Sequence, residues 1–196
     1  MNHLSNPDHK LAVFASGTGS NARQIIQYFK NSSLARVALV VSNKPQAGVL
    51  QIAAAENIPT LVIEKETFFR GDGYVPQLQA AGIDLVVLAG FLWKVPQTLI
   101  NAFPRKIINI HPALLPKYGG KGMYGQFVHQ AVKDARELES GITIHYVDEH
   151  YDNGDIIFQT SCPLESSDDI HTISQKVQQL EHRYYPQVIE KLLKEN

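Results

Sequence analysis

The stretch Leu11-Ala-Val-Phe-Ala15, followed by Ser16-Gly-Thr-Gly-Ser-Asn21 and then by helical spacing as far as Lys30, sets the pattern for the chain. Five apolar residues without alternation suit a strand covered on both faces, and a glycine-rich turn then leads into a helix. The same unit recurs. Further unalternating runs lie at Val37–Val41, Thr60–Ile63, Leu85–Ala89 and Ile107–Ile110. Between them, Asn21–Lys30, Val49–Glu56, Tyr74–Ala81 and Pro96–Ala102 have the spacing of helices of two to three turns, with Pro76 placed near the start of the third. Strands alternating with helices predict an α/β fold, a doubly wound and mostly parallel sheet of Rossmann-like kind with right-handed crossovers.

Beyond Ala113 the pattern changes. A loop from Leu114 to Gly125 is rich in glycine, and a helix is expected over Gln126–Ala135. Two strand-like runs follow, Ile142–Val147 and Asp155–Ser161, joined by the short segment Asp148–Gly154. That segment is too short for a crossover helix, so the two strands should pair antiparallel at one side of the sheet. Asp168–Leu193 reads as one terminal helix capped by Ser167 or Asp168. With no repeat, low-complexity tract or linker, residues 1–196 are expected to form a single domain, with 1–9 disordered or loosely attached.

Composition narrows the function classes. Hydrophobic residues make up 44% of the 196, and 18 basic side chains against 19 acidic ones give a formal charge of -1. Such a chain has no global field for nucleic acid or an anionic membrane, so an anionic ligand needs a local site. The lone Cys162 cannot form an internal disulfide and reads as a packing residue; no Cys/His spacing resembles a metal site. The start lacks the basic flank and apolar run of a signal peptide, and Leu85–Trp93, the longest apolar stretch, is too short to span a bilayer. A cytoplasmic protein is the expectation, with no metal, no nucleic-acid partner and no membrane partner.

Three segments could carry chemistry. Gly17-Thr18-Gly19-Ser20-Asn21 ends a strand and opens a helix, where free N–H groups and the positive helix end favour an anion. A plain tight turn capped by Ser20 or Asn21 explains the same residues equally well. Extended to Ala22, the turn matches the G-x-G-x-x-A dinucleotide fingerprint. That reading requires an acid near the end of the second strand, where the sequence is Val40-Val41-Ser42-Asn43-Lys44, so NAD is disfavoured; the absence of a Gly-Lys-Ser/Thr ending disfavours an ATP loop. In Asn109-Ile110-His111-Pro112, positions 109 and 111 point to one face of a strand. With strand order 3-2-1-4-5, they and Gly90-Phe91 reach the crevice beside Gly19 at the switch point. An amide and an imidazole there could polarise a carbonyl and stabilise an oxyanion, at roughly 3–4 kcal/mol per donor. The third segment, Asp148–Gly154, concentrates three carboxylates; one brought against His111 would make a proton-transfer pair, and spacing alone does not say which.

Taken in order, Gly17-Thr-Gly-Ser-Asn21, Ala89-Gly90-Phe91, Asn109-Ile-His-Pro-Ala-Leu-Leu-Pro-Lys-Tyr118, and His145-Tyr-Val147 with Asp152 and Gly154 resemble the phosphoribosylglycinamide formyltransferase family, the folate-dependent transformylases of purine synthesis. The resemblance runs along essentially the whole chain. It implies transfer of a formyl group from 10-formyltetrahydrofolate, a co-substrate, to the amino group of glycinamide ribonucleotide through a tetrahedral intermediate, without metal, by a monomer or homodimer. Carried over by position, it implies that Asn109 and His111 polarise the formyl oxygen while Asp152 holds His111 and helps move protons. It assigns Gly17, Thr18, Gly19, Ser20 and Asn21 to the ribonucleotide phosphate, Glu181 to the sugar hydroxyls, and Leu88, Phe91, Leu92, Trp93, Val95, Val147 and Asp148 to the folate. Leu115–Pro116 is a candidate cis peptide.

The chain departs from the family pattern in places. Relatives carry a basic residue near the phosphate from the loop after the third strand, and the nearest arginine here is Arg70 in Phe68-Phe69-Arg70-Gly71-Asp72-Gly73. After Gly-Phe-Leu the chain has Trp93-Lys94, and after Pro-Lys-Tyr it has Gly119-Gly-Lys-Gly-Met-Tyr124 in place of a His-containing loop, which bears on contacts to the folate tail. Two other enzyme families share the Asn-x-His-Pro segment, formyltetrahydrofolate hydrolase and methionyl-tRNA formyltransferase. Each is expected to bring a further domain that 196 near-neutral residues do not accommodate. A non-catalytic nucleotide-binding module is the remaining alternative, opposed by an amide, imidazole and carboxylate set that binding alone would not need.

Overall fold

The computed structural model describes residues 8–195. Seven strands form one sheet in the order β3-β2-β1-β4-β5-β6-β7. The strands are β1 (His9–Phe14), β2 (Ala35–Ser42), β3 (Thr60–Val62), β4 (Leu85–Leu88), β5 (Ile107–His111), β6 (Glu139–Tyr146) and β7 (Ile156–Pro163). Pairing is parallel from β3 through β5 and antiparallel for β5–β6 and β6–β7. This is the expected doubly wound sheet with its antiparallel side. Residues 1–7, most of the segment expected to be loosely attached, lie outside the described residues; His9 already belongs to β1, and its N–H donates to Leu34 O at 2.9 Å.

The unalternating strands β1, β2, β4 and β5 are largely buried on both faces, as their composition requires, whereas β3, expected to be buried like them, lies at the edge of the sheet with Thr60 and Val62 exposed. Leu11, Val13 and Ala15 point into one core, which holds Ala22, Ile25, Ile26 and Phe29 of α1 (Ser20–Phe29), Val49 and Ala53 of α2 (Gly48–Ala55), and Tyr185 and Ile189 of the terminal helix. Ala12 and Phe14 point the other way. There they meet Phe68 of α3 (Lys65–Phe69), Leu78 of α4 (Val75–Ala80) and Leu99 of α5 (Gln97–Ala102). Each fully buried Leu or Ile in these layers contributes about 1.5–3 kcal/mol relative to exposure. A third, small cluster seats α6 (Gln126–Asp134) through Val128 and Val132 on Ala113.

The structure corrects several local expectations. α3 was not anticipated, because five residues are too few to show a helical period. The terminal helix, α7 (Ile170–Glu195), is capped by Asp169, whose Oδ1 accepts the Thr172 N–H at 2.7 Å. Asp168, one of the two expected caps, instead closes the preceding turn by accepting Glu165 N–H and pairs with Lys176. Ser167 makes no cap either. β6 begins at Glu139, three residues before the apolar run, because Ser140 and Gly141 pair with Cys162 and Ser161. Gly141 is required there: a Cβ would stand 2.1 Å from Thr160 O.

Candidate active site

The carboxyl ends of β1, β4 and β5 open into a cleft of about 720 Å³, as the switch-point rule requires. One end is built from main chain. Gly19 precedes α1 at φ 79°, in the left-handed region, and a Cβ on it would stand 2.7 Å from Val49 Cβ. Only glycine fits that position without strain. No side chain caps the helix, so the alternative of a turn capped by Ser20 or Asn21 is not what forms. The first N–H groups are left facing the cleft, which Gly17, Thr18, Gly19, Ser20 and Asn21 all line. Neighbouring loops hold the turn in place. Ser16 Oγ donates to Asn43 Oδ1 at 2.6 Å and accepts the Leu92 N–H at 2.9 Å, and Val49 N–H donates to Gly17 O at 3.2 Å.

Glu181 reaches this end from α7. Asn21 Nδ2 donates to Glu181 Oε2 at 3.0 Å, and burial pushes the Glu181 carboxyl up to about 7 although Asn21 opposes the shift. Asn21 Oδ1 is buried without a partner. A carboxyl that can hold its proton and an unsatisfied amide oxygen form a pair suited to the hydroxyl groups of a sugar.

The other end is built from side chains. Asn109 and His111 leave β5 on the same face, and the antiparallel register sets His145 of β6 directly opposite Asn109. Asp152 enters from the loop after β6, at φ 51° and 10% side-chain exposure. Its Oδ2 stands 3.5 Å from His111 Nδ1 and accepts the Gly120 N–H at 2.9 Å. Its Oδ1 is 3.4 Å from Asn109 Nδ2 and 3.6 Å from His145 Nε2. The three expected residues thus meet. The loop that delivers Asp152 is closed by Asp148, whose two oxygens accept His150 N–H and Asn153 Nδ2–H. It ends at Gly154, where a Cβ would stand 1.9 Å from Tyr146 O.

Hydrogen-bond partners fix the proton inventory. His145 Nδ1 faces Tyr146 O at 2.8 Å, so Nδ1 carries a hydrogen, and in that tautomer Nε2 accepts from Asn109 Nδ2 at 3.2 Å. His111 Nε2 likewise donates to Tyr118 O at 2.7 Å, leaving Nδ1 toward Asp152. Tyr118 is placed by a segment that contains the cis Leu115–Pro116 peptide and is held by Thr143 Oγ1, which donates to Ala113 O and accepts Leu115 N–H. Burial lowers the His111 pKa below the usual imidazole value despite the opposing pull of Asp152, so the ring is neutral at neutral pH. Burial alone would raise the Asp152 carboxyl. The nearby His145 and His111 rings and the Gly120 N–H outweigh it and hold the pKa below the ordinary aspartate value.

An apolar wall runs beside this cluster. Leu88, Phe91, Leu92, Trp93, Val95, Val147 and Asp148 all line the cleft. The Phe91 ring stands edge-on to Phe14, centroids 5.4 Å apart, while Trp93 lies on Phe68 and Phe69 at 5.7 and 5.8 Å. Unanticipated α3 therefore supports the wall from behind.

Arg70 is the one expected site residue that the structure does not bring to the cleft. It follows α3 with its side chain 78% exposed and pairs with Glu66 at 3.8 Å. The sequence reading treats His145 only as part of a motif, because the antiparallel pairing it predicts joins the strand of His145 to the strand that follows and does not set it beside Asn109. It also passed over Lys44, which lines the cleft. Among the described residues, no group of three or more His, Cys, Asp or Glu side chains is arranged to hold a metal ion, and no helix is long and apolar enough to cross a membrane.

An amide, two imidazoles and a carboxylate thus meet at the switch point of an α/β sheet, beside a glycine turn that opens a helix. Comparison with known proteins makes the class specific: residues 9–189 match the model of the formyl transferase family, and the chain belongs to that family. It is 41% identical over 189 residues to the phosphoribosylglycinamide formyltransferase of Bacillus subtilis, with 94% of each chain covered. It is 42% identical to the chloroplastic phosphoribosylglycinamide formyltransferase of Arabidopsis thaliana, covering 92% of this chain and 64% of that protein. The chain thus spans less than two thirds of the plant relative's length. The crystal structure of phosphoribosylglycinamide formyltransferase from Bacillus halodurans superposes with a TM-score of 0.85 at 39% identity, covering 94% of this chain and 95% of that one.

Proposed function

We propose that the protein transfers a formyl group from 10-formyltetrahydrofolate to the amino group of glycinamide ribonucleotide, as the names of its relatives suggest for the acceptor. The observation that carries this reading is the meeting of Asn109, His111 and Asp152 in one cleft with the glycine turn. The ribonucleotide lies along the main-chain end, its phosphate at Gly17–Asn21 and its sugar hydroxyls at Glu181 and Asn21. The folate lies against the Leu88–Val95 wall, and the formyl carbon comes to Asn109.

The amine nitrogen attacks the formyl carbon, a C–N bond forms, and the carbonyl oxygen becomes an oxyanion. Asn109 Nδ2 has two hydrogens. One is held by His145, and the other makes only the long 3.4 Å contact to Asp152, so it can turn to the oxyanion. Asp152, ionised before reaction, takes the proton released by the attacking nitrogen and shares it with His111 Nδ1; at 3.5 Å that contact is no strong hydrogen bond, so the protonated ring can also donate to the oxyanion. Collapse restores the C=O bond and breaks the bond to N10 of the folate, which recovers the proton. The products are formylglycinamide ribonucleotide and tetrahydrofolate.

The test mixes purified protein with glycinamide ribonucleotide and a 10-formyl folate, following formyl loss from the folate and gain by the nucleotide. Equal amounts are expected. Deformylation without a nucleotide product would replace this reading with hydrolysis, and no turnover of either substrate would leave a binding module.

A further inference from the structure

With Arg70 away from the cleft, the proposed phosphate end needs a cation from elsewhere, because N–H groups and a helix end alone would face a dianion beside the Glu181 carboxyl. Three lysines line the cleft: Lys44, Lys94 and Lys121. Lys94 follows Trp93 on the apolar wall, and Lys121 lies in the loop after the cis peptide. Only Lys44 sits on a loop locked to the glycine turn. That loop joins β2 to α2, and three contacts tie it and the start of α2 to the β1 turn: Ser16 Oγ–Asn43 Oδ1, Val49 N–Gly17 O, and the packing of Gly48 on Thr18, where a Cβ would stand 3.1 Å from Thr18 O.

The Lys44 backbone is itself pinned. Its N–H donates to the fully buried Ser42 Oγ at 3.2 Å, and its carbonyl accepts from Ala47 N–H at 3.1 Å and from Ser42 Oγ at 3.3 Å. Its ammonium has no ion-pair or hydrogen-bond partner among the described residues. A fixed backbone and an uncommitted ammonium lining the same cleft as free N–H groups form the arrangement by which a point charge completes a phosphate site. Gln178, which donates to Ser20 Oγ at 3.3 Å, is neutral. The buried, unpartnered Asn21 Oδ1 independently marks this end as shaped for a ligand with hydroxyl groups.

We propose that Lys44 supplies the positive charge that holds the phosphate of a ribose 5-phosphate moiety, the role the sequence had assigned to Arg70. The location of the phosphate rests on the proposed function; the binding test below does not require formyl transfer. Lys44 is a binding residue here and takes no part in bond making.

Calorimetry with ribose 5-phosphate and with ribose as probes separates the contributions. Wild-type protein should bind the phosphorylated sugar more tightly than ribose, and K44M should lose about 10- to 100-fold in affinity for the phosphorylated sugar alone. K44R should recover part of the loss, R70A should bind like wild type, and rising salt should weaken wild type more than K44M. With glycinamide ribonucleotide as substrate, K44M should raise KM and leave kcat nearly unchanged. Unaltered affinity for ribose 5-phosphate in K44M would overturn the proposal, as would an equal loss for ribose, which would indicate a disturbed loop. Wild-type protein that binds ribose 5-phosphate through Lys44 but transfers no formyl group would refute the proposed reaction and leave this inference standing.

Discussion

The two ends of the cleft are made from opposite materials. At the glycine turn the groups offered to a ligand are main-chain N–H groups, held by the fold of three loops and by one residue, Gly19, that has no substitute. At the Asn109–Asp152 cluster they are side chains from two strands and a loop, standing 3.2 to 3.6 Å from one another. A main-chain site depends on backbone shape and tolerates most side-chain changes. A side-chain cluster depends on which atoms carry protons, so a change of one atom should disable it without disturbing the fold.

The sharpest test of that contrast is Asp152→Asn, which keeps the shape and removes the charge. It should lower kcat by about 10³-fold or more, with the melting temperature little changed, as measured by steady-state assay and thermal unfolding. A rate near that of wild type would remove Asp152 from proton transfer. Next comes Asn109→Ala, expected to cost about 10²- to 10³-fold in kcat with the nucleotide KM within a few-fold of normal. An effect confined to KM would mean that the amide binds substrate and gives the transition state no extra stabilisation.

At the main-chain end the expectation reverses. Gly19→Ala imposes φ 79° on a residue with a Cβ and drives that Cβ into Val49, so a stability loss of about 2–4 kcal/mol should appear in the urea midpoint along with weaker nucleotide binding. An unchanged midpoint would show that the turn can shift.

The smallest effect concerns Glu181. Its folded-state pKa, about 7, lies above the ordinary carboxyl value, so its favourable contribution is complete below about pH 4.5 and is lost as the pH rises through 7. Glu181→Gln should flatten that decline by about 1–3 kcal/mol between pH 5 and 8 in denaturant titrations. An identical pH dependence in both proteins would mean that the carboxyl is well solvated.

Much of this was legible in the sequence, because burial on both faces leaves a mark that single residues carry. The runs at Leu11, Val37, Leu85 and Ile107 all became central strands, and the seven-residue link after Val147 was too short for anything but antiparallel pairing. Asn109 and His111 could be set on one face by strand alternation alone, and their meeting with Asp152 came from the family resemblance. What escaped depended on contacts between segments distant in sequence. α3 forms because Phe68 and Phe69 pack on Phe91 and Trp93, some twenty residues on, and by forming it leaves Arg70 exposed at the surface. The cap of α7 moved by one residue because Asp168 was drawn to Lys176. His145 needed the β5–β6 register, which no local pattern states.

Tyr185 ties the two ends together. Its hydroxyl, in a fully buried side chain one helical turn beyond Glu181, donates to Leu88 O at 2.9 Å, with Ile108 O at 3.4 Å. The helix that would meet the sugar is thereby bolted to the strand that carries the amide, one residue before Asn109. In the proposed binding mode this phenol helps to set the span from ribose to reacting amine, and an acceptor longer or shorter than that span would bring the wrong atom to the bond-forming point.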